Sequence, residues 1–519
     1  MDLTCPSCSA HYFVNEARIQ EKGFRCNVCQ HFFPPKPATN KTEAPSPNDR
    51  IKAAFDPAVF RAQGHRVVDL LADYLSKATQ GQMPVSLSMP ADKRQTLWPA
   101  EFPHPNQERG VAELVSEVLA QSIHLHHPRF MGHQVGVPLP MATLFDLVIS
   151  MLNNGMAIYE MGAVMTVVER SLIRWMATQL GLPKGADGVF TSGGSAGNLT
   201  ALLAARQVKA GSDVWSKGNT EKLTILCADQ AHYSIQRAAQ IMGLGKEGFW
   251  PVPVDEHFRL RPEALLDAKK AAEAAGRRVI AVVGSACSTA TGAFDPLTKI
   301  AEFCKQYNLW FHVDAAHGAS AILSNTHKKL LAGIEHADSV VWDAHKMMMM
   351  PALCTAVLFK EESRSYEAFA QEASYLFTNH NPKEEWFNMA SRTLECTKRA
   401  MGLKLYAALS TYGPDFFGQY IDAMFSLSKT FADKIKNRPN FELAIDPECN
   451  IVCFRYKPNT VVNLDLLQHK IRQQLLAEGA FYIVQTQLPK GLYLRTTLLN
   501  PFTTEGDLDT LLQSIEQLA

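Results

Sequence analysis

The 519-residue sequence predicts an α/β protein. Its large domain holds a mostly parallel central sheet, a smaller α/β domain follows at the C-terminus, and a small cysteine-rich module precedes both. Three observations carry this. Short apolar runs alternate with helical segments through the middle of the chain, the pattern changes after about Met401, and four of the eleven cysteines fall within the first thirty residues. The chain is also longer than one core of ordinary size accommodates, so two or more domains are expected.

Taken in order, Cys5-Pro-Ser-Cys8 and Cys26-Asn-Val-Cys29 are two Cys-x-x-Cys pairs. Such pairs place four thiolates around one tetrahedral ion, and metal binding folds a unit too small for a core of its own. Their separation, with His11-Tyr12-Phe13 and His31-Phe32-Phe33, is similar to short bacterial zinc-ribbon modules. A structural Zn²⁺ on Cys5, Cys8, Cys26 and Cys29 is therefore expected in residues 1–33, because four cysteines leave no open coordination position for chemistry. A docking role toward another protein is one use of such a ribbon. Residues 34–50 are polar and proline-rich and read as a linker. In 51–125, Phe60, Val67, Val68, Leu71, Tyr74 and Leu75 recur at helical spacing and predict an amphipathic helix.

The large domain, 126–400, contains apolar runs at 188–190, 223–227, 279–283, 309–313, 339–342 and 354–359 that read as buried strands. Helical segments at 196–206, 262–275 and 296–307 lie between several of them. The small domain, 401–519, reads as helix, strand pair, helix. Its last helix is announced by the capping-box pattern Thr504-x-x-Asp507 and an apolar face of Leu508, Leu511, Leu512, Ile515 and Leu518.

Composition narrows the function class. Hydrophobic residues make up 46% and charged residues 20%, with zero formal net charge, so nothing global steers the chain toward nucleic acid or a membrane surface. No apolar run reaches membrane-spanning length, and the first residues lack the basic and apolar regions of a secretory signal. An odd cysteine count points to reduced thiols. A cytoplasmic enzyme acting on a small molecule is the expectation.

Ligands of open α/β sheets bind beyond the carboxyl ends of the strands, and the chemically capable residues fall there on several strands. After 188–190 comes Thr191-Ser-Gly-Gly-Ser195-Ala196-Gly-Asn198, a loop whose glycines and following amides suit a single phosphate group. After 223–227 comes His232, which could lie flat on an aromatic ring or simply pack. After 309–313 comes Asp314-Ala315-Ala316, a carboxylate that needs a cation or donors if buried, beside alanines that leave room for a flat ring. After 339–342 comes Asp343-Ala344-His345-Lys346, where desolvation favours a neutral, nucleophilic lysine amine.

His312-Val-Asp314-Ala-Ala316 followed by Asp343-Ala-His345-Lys346 resembles the group II pyridoxal-phosphate decarboxylases. These include glutamate, cysteine-sulfinate, diaminobutyrate and aromatic amino-acid decarboxylases. The resemblance runs from about residue 55 to the C-terminus. It takes in His127-Pro-Arg-Phe130, Tyr159-Glu160, Gly193-Gly194, Ala231-His232, Gly292-Ala-Phe-Asp-Pro296, Ala373-Ser-Tyr375-Leu-Phe377 and Asn500-Pro-Phe-Thr-Thr504. It implies pyridoxal-phosphate fold type I, the aspartate aminotransferase-like fold, and a homodimer with the active site at the interface. It also implies residue roles. Lys346 holds the cofactor as a Schiff base, Asp314 keeps the pyridinium proton, and His232 stacks on the ring. Ser195, Ala196 and His345 help bind the phosphate, Thr289 or Ser288 supplies a hydroxyl, and Ala316 lies beside the ring. Tyr375 matches a mobile-loop tyrosine that protonates the product carbanion and can serve the neighbouring subunit. Arg495 matches an arginine that pairs with a substrate carboxylate.

Met131-Gly-His133-Gln134, offered here as substrate-binding through His133 and Gln134, looks more like the diaminobutyrate type. Pro128-Arg-Phe130, Tyr159-Glu160 and Cys354 look closer to the glutamate and cysteine-sulfinate branch. The leading expectation is α-decarboxylation of a small polar amino acid, acidic substrates favoured over diaminobutyrate or aromatic ones. The competing expectation from another class is a regulator docked through its ribbon, with a vestigial enzyme fold.

Overall fold

The computed structural model describes residues 2–13, 23–34, 46–98, 110–369 and 386–519. It divides the chain into two units, one of residues 1–72 with 105–117, the other of 73–104 with 118–519.

In the first unit, β1 (Asp2–Thr4) pairs antiparallel with β2 (His11–Phe13), and β3 (Phe24–Arg25) with β4 (Phe32–Phe33). Each turn carries one cysteine pair and is closed by a backbone bond, Cys5 N–H to Ala10 O (2.9 Å) and Cys26 N–H to His31 O (2.8 Å). The linker reading is shortened. Ser46 caps a helix over Pro47–Ala53, with its hydroxyl accepting from Asp49 N–H. Proline at the first helical turn is tolerated because its missing N–H would be unpaired there anyway.

In the second unit a seven-stranded sheet has the order β5-β11-β10-β9-β8-β6-β7. Its strands are β5 (Asp187–Thr191), β6 (Leu223–Ala228), β7 (Phe249–Val252), β8 (Arg278–Ser285), β9 (Trp310–Asp314), β10 (Ser339–Asp343) and β11 (Thr355–Phe359). β7 through β10 run parallel along the sheet, while β11 is antiparallel to both β10 and β5. The apolar runs lack polar alternation because both faces are covered. Ile225 and Cys227 face one apolar cluster with the helices Gly194–Lys209 and Tyr233–Ile241. Leu226 faces another, with the helices Tyr159–Gln179 and Leu297–Tyr307.

The C-terminal strand pair proves to be a four-stranded antiparallel sheet, ordered β12 (Phe441–Leu443), β13 (Ile451–Tyr456), β15 (Gly491–Thr497) and β14 (Val484–Leu488). Leu508, Leu511, Leu512 and Ile515 of the last helix, Glu505–Leu518, join the core under this sheet. The Thr504–Asp507 capping box closes that helix in both directions.

Candidate active site

Because β6, β8, β9 and β10 are parallel, their carboxyl ends share one edge. Ser285 stands in register with Asp314, and Asp314 with Val341, two residues before Asp343. A cavity of about 540 Å³ opens there. It gathers Ser195, His232, Thr289, Asp314, Ala316, His345 and Lys346 from the strand ends, with His133, Gln134 and Arg495 from flanking segments. Ala196 is the third residue of the helix that begins at Gly194 and does not line the cavity. Ser288 turns away to Thr291 (3.0 Å), so Thr289 is the hydroxyl residue at the cavity. Tyr375 lies outside the described residues.

Asp314 is nearly buried. Its Oδ2 accepts from Asn198 Nδ2 (2.9 Å) and its Oδ1 from Ala316 N–H (3.3 Å), and no cation pairs with it among the described residues. The sequence reading missed what organises it. Asn198 Oδ1 accepts from His312 Nε2 (3.0 Å), and Ser339 Oγ bonds His312 Nδ1 (2.9 Å). Burial pushes His312 down to about 4, so the ring stays neutral, and the Asp314 carboxylate itself holds the Asn198 amide with its NH₂ toward it. The outcome is a carboxylate with two donors and no cation beside it among the described residues, which fits a protonated ring nitrogen.

His232 caps the helix Tyr233–Ile241. Its Nδ1 receives the Ser234 N–H (3.3 Å) and lies 2.8 Å from the Ser234 hydroxyl, leaving Nε2 as the protonated nitrogen. Burial lowers its pKa; the Asp314 charge opposes this, and the Lys346 charge adds to it. A neutral imidazole is free to lie against an aromatic ring. Gly193 has φ +121°, a conformation that L side chains rarely adopt, and it brings the chain into the helix Gly194–Lys209. The first amides of that helix have no intrahelical partner and suit a phosphate. His345 Nδ1 lies against the Asp343 carboxylate.

Lys346 is half-buried, and its Nζ makes no hydrogen bond or ion pair to any described residue. The segment that follows His133 and Gln134 lies on the Lys346 backbone. Gly136 N–H donates to His345 O (3.1 Å), and a Cβ at Gly136 would come 2.1 Å from Lys346 O. Arg495 donates from Nη1 to Thr289 O (2.5 Å), yet its Nε has no partner. Gln134 Nε2 and His317 Nδ1 are likewise buried at the cavity without partners among the described residues. A free amine, a cation-seeking carboxylate, helix-end amides and unmet polar atoms together fit pyridoxal phosphate and a polar substrate.

The comparisons agree. The model of the pyridoxal-dependent decarboxylase conserved domain matches residues 90–457. The cysteine sulfinic acid decarboxylase of Homo sapiens is 30% identical over 481 residues, covering 90% of this chain and 97% of that protein. The L-2,4-diaminobutyrate decarboxylase of Acinetobacter baumannii is 30% identical over 424 residues, covering 79% and 83%. The crystal structure of mouse CSAD superposes with a TM-score of 0.82 at 28% identity, covering 89% of this chain and 99% of that one. These matches set aside the vestigial-regulator reading. The chain belongs to the pyridoxal-dependent decarboxylase family and is a pyridoxal-phosphate-dependent amino-acid carboxy-lyase.

Proposed function

We propose that the substrate is a small acidic L-amino acid of the glutamate, aspartate or cysteine sulfinate type, released as its amine and carbon dioxide. The observation that carries this is Arg495. It is a buried guanidinium at the cavity with no carboxylate beside it among the described residues, and burial lowers its pKa. An uncompensated buried cation is costly, and a ligand anion offsets that cost. Gln134 Nε2 adds a second unmet donor. The side-chain ammonium of diaminobutyrate finds no such welcome. Among the described residues, the carboxylates lining the cavity are Asp314 and Asp343, the first facing the ring position and the second lying against His345. The test is carbon dioxide release from a panel of single amino acids. Acidic members are expected to lead, and preference for diaminobutyrate or an aromatic amino acid overturns the assignment.

Within this reading Lys346 holds the cofactor, Asp314 retains the ring-nitrogen proton, and His232 lies on the ring. Ser195, the Ala196 amide and His345 hold the phosphate, while Thr289 and Ala316 border the ring. When bound, the cofactor supplies an electron sink for the bond pair left by departing carbon dioxide. Asn198, backed by His312, orients Asp314. Arg495, Gln134 and His133 orient the substrate, and orientation of this kind accounts for roughly 7–11 kcal/mol of a barrier in favourable cases. Tyr375 delivers the proton to the product carbon.

The chain acts as a homodimer. Leu144, Leu147, Val148 and Met151 on the helix Pro140–Leu152, with Met161 and Val164 on Tyr159–Gln179, expose an apolar surface that a second copy covers. Mixing Lys346→Ala and Tyr375→Phe subunits tests the shared site. Recovered activity means that Tyr375 serves the neighbour; none means that it serves its own subunit.

The N-terminal module binds one structural zinc. The four thiol sulfurs lie within 4.8 Å of one another, with Cys5–Cys29 and Cys8–Cys26 both at 3.5 Å. A tetrahedron with Zn–S bonds of about 2.3 Å has edges of roughly 3.8 Å. Metal analysis is expected to give one zinc per chain, lost on Cys5→Ser; a metal-free wild type contradicts this. None of the eleven cysteines forms a disulfide, which favours a reducing compartment such as the cytoplasm, and no described helix is long and apolar enough to cross a membrane.

A further inference from the structure

We propose that His317 positions the substrate by accepting a hydrogen bond from its α-ammonium group. This rests on the reading of the cavity as an amino-acid site, and it adds a residue that neither the sequence pattern nor the family resemblance singled out.

His317 follows Asp314-Ala315-Ala316, is 3% exposed and lines the same cavity as Lys346 and Arg495. Its protonation is set from behind. His317 Nε2 lies 2.9 Å from Asn450 Oδ1, and Asn450 Nδ2 donates to Leu498 O (3.0 Å). Turning the Asn450 amide over would set its oxygen against that carbonyl, so Oδ1 must face the imidazole. Nε2 therefore carries the hydrogen, and Nδ1 is left as a lone-pair acceptor. That Nδ1 is buried and has no partner among the described residues. Burial, helped by the charges of Lys346 and Arg495, pushes the ring's pKa down to about 3, so the lone pair persists at neutral pH.

An unmet buried acceptor asks for an N–H or O–H from the ligand. The carboxylates of an acidic amino acid offer neither; its ammonium offers three. Arg495 Nε, an unmet cationic donor at the same cavity, takes a carboxylate. Arg495 and His317 together then read the side-chain carboxylate and the ammonium of an acidic amino acid. The ring hydroxyl of the cofactor is the competing donor, and the experiment separates the two.

The experiment pairs each amino acid with its analogue lacking the α-amine: L-aspartate with succinate, L-glutamate with glutarate. KM is measured for the amino acids and Kd, by calorimetry on the holoenzyme, for the dicarboxylates, in wild type, His317→Phe and His317→Gln. His317→Phe is expected to raise KM about tenfold or more while leaving dicarboxylate Kd within about twofold, and His317→Gln, which keeps an acceptor, to recover most of the loss. Should the phenylalanine variant not fold, His317→Met removes the acceptor with a flexible apolar side chain. Equal weakening of both members of a pair, no weakening of either, or loss of bound cofactor from the variant overturns the proposal. If wild type neither turns over the acids nor binds the dicarboxylates, the acidic-substrate reading has failed instead. L-2,4-diaminobutyrate and 4-aminobutanoate then become the pair on which His317 is judged.

Discussion

Arg495 carries the substrate reading, and its burial makes two effects separable. With no carboxylate beside it among the described residues, the guanidinium is a cost to the empty protein and a gain once an anionic ligand binds. Arg495→Met is therefore expected to lower kcat/KM for acidic substrates by roughly 10- to 150-fold, as for loss of a charged hydrogen bond. The thermal midpoint should hold or rise; a large drop would mean that Arg495 is structural. At Lys346 the expectation is simpler. Borohydride reduction should leave the cofactor mass on the peptide containing Lys346, and Lys346→Ala should leave none. How much was legible differs between neighbours. Asp314 and Lys346 were legible because each follows an apolar strand with a short, chemically distinct signature. Asn198 and His317 were not. Their side chains are held by partners distant in sequence, His312 and Asn450, and a lone Asn or His near a glycine has many uses.

At the scale of elements, the phosphate loop and the last helix make the sharpest cases. A Cβ added at Gly193 would meet only an ordinary van der Waals contact, 3.7 Å from Leu353. The Gly193 φ of +121° is what a side chain would strain. Gly193→Ala is expected to cost about 1–3 kcal/mol in backbone conformation, read as weaker cofactor retention on dialysis; unchanged retention removes the loop from the phosphate site. Thr504→Ala takes away the hydroxyl that caps Asp507 N–H (3.2 Å) and should cost about 0.5–2 kcal/mol in urea unfolding. The strand ends were legible as elements, but strand direction was not. A fully buried strand reads the same either way, so antiparallel β11 went unforeseen. β7 was hidden by Pro251, which is tolerated because β7 is an edge strand. In the C-terminal sheet, β12 spans three residues and β14 is rich in Gln and Thr, so neither stood out as an apolar run.

The whole molecule should lose stability on mild acidification. His312 and His317 are held neutral by burial, at about 4 and about 3. Both folded values lie below the unfolded value of about 6.5, so their contribution is complete above that pH. It is lost as pH falls from there toward the folded values, at up to about 1.4 kcal/mol per pH unit for each ring. Asp295, raised to about 7 by burial, works in the opposite sense between its unfolded and folded values and offsets one of the two. The holoenzyme's thermal midpoint is expected to fall between pH 7.5 and pH 5; a flat profile would contradict the neutral buried imidazoles. Deleting residues 1–34 should leave decarboxylation largely intact, because every residue lining the catalytic cavity lies beyond them. The central claim is that a Lys346-held cofactor removes the α-carboxylate of an acidic amino acid. Its most direct test is labelled carbon dioxide from L-aspartate, L-glutamate and L-cysteine sulfinate carrying the label in the α-carboxyl carbon. Wild type should release it from at least one of the three, and Lys346→Ala from none. Amine transfer without labelled gas, or equal release by the variant, would contradict the account.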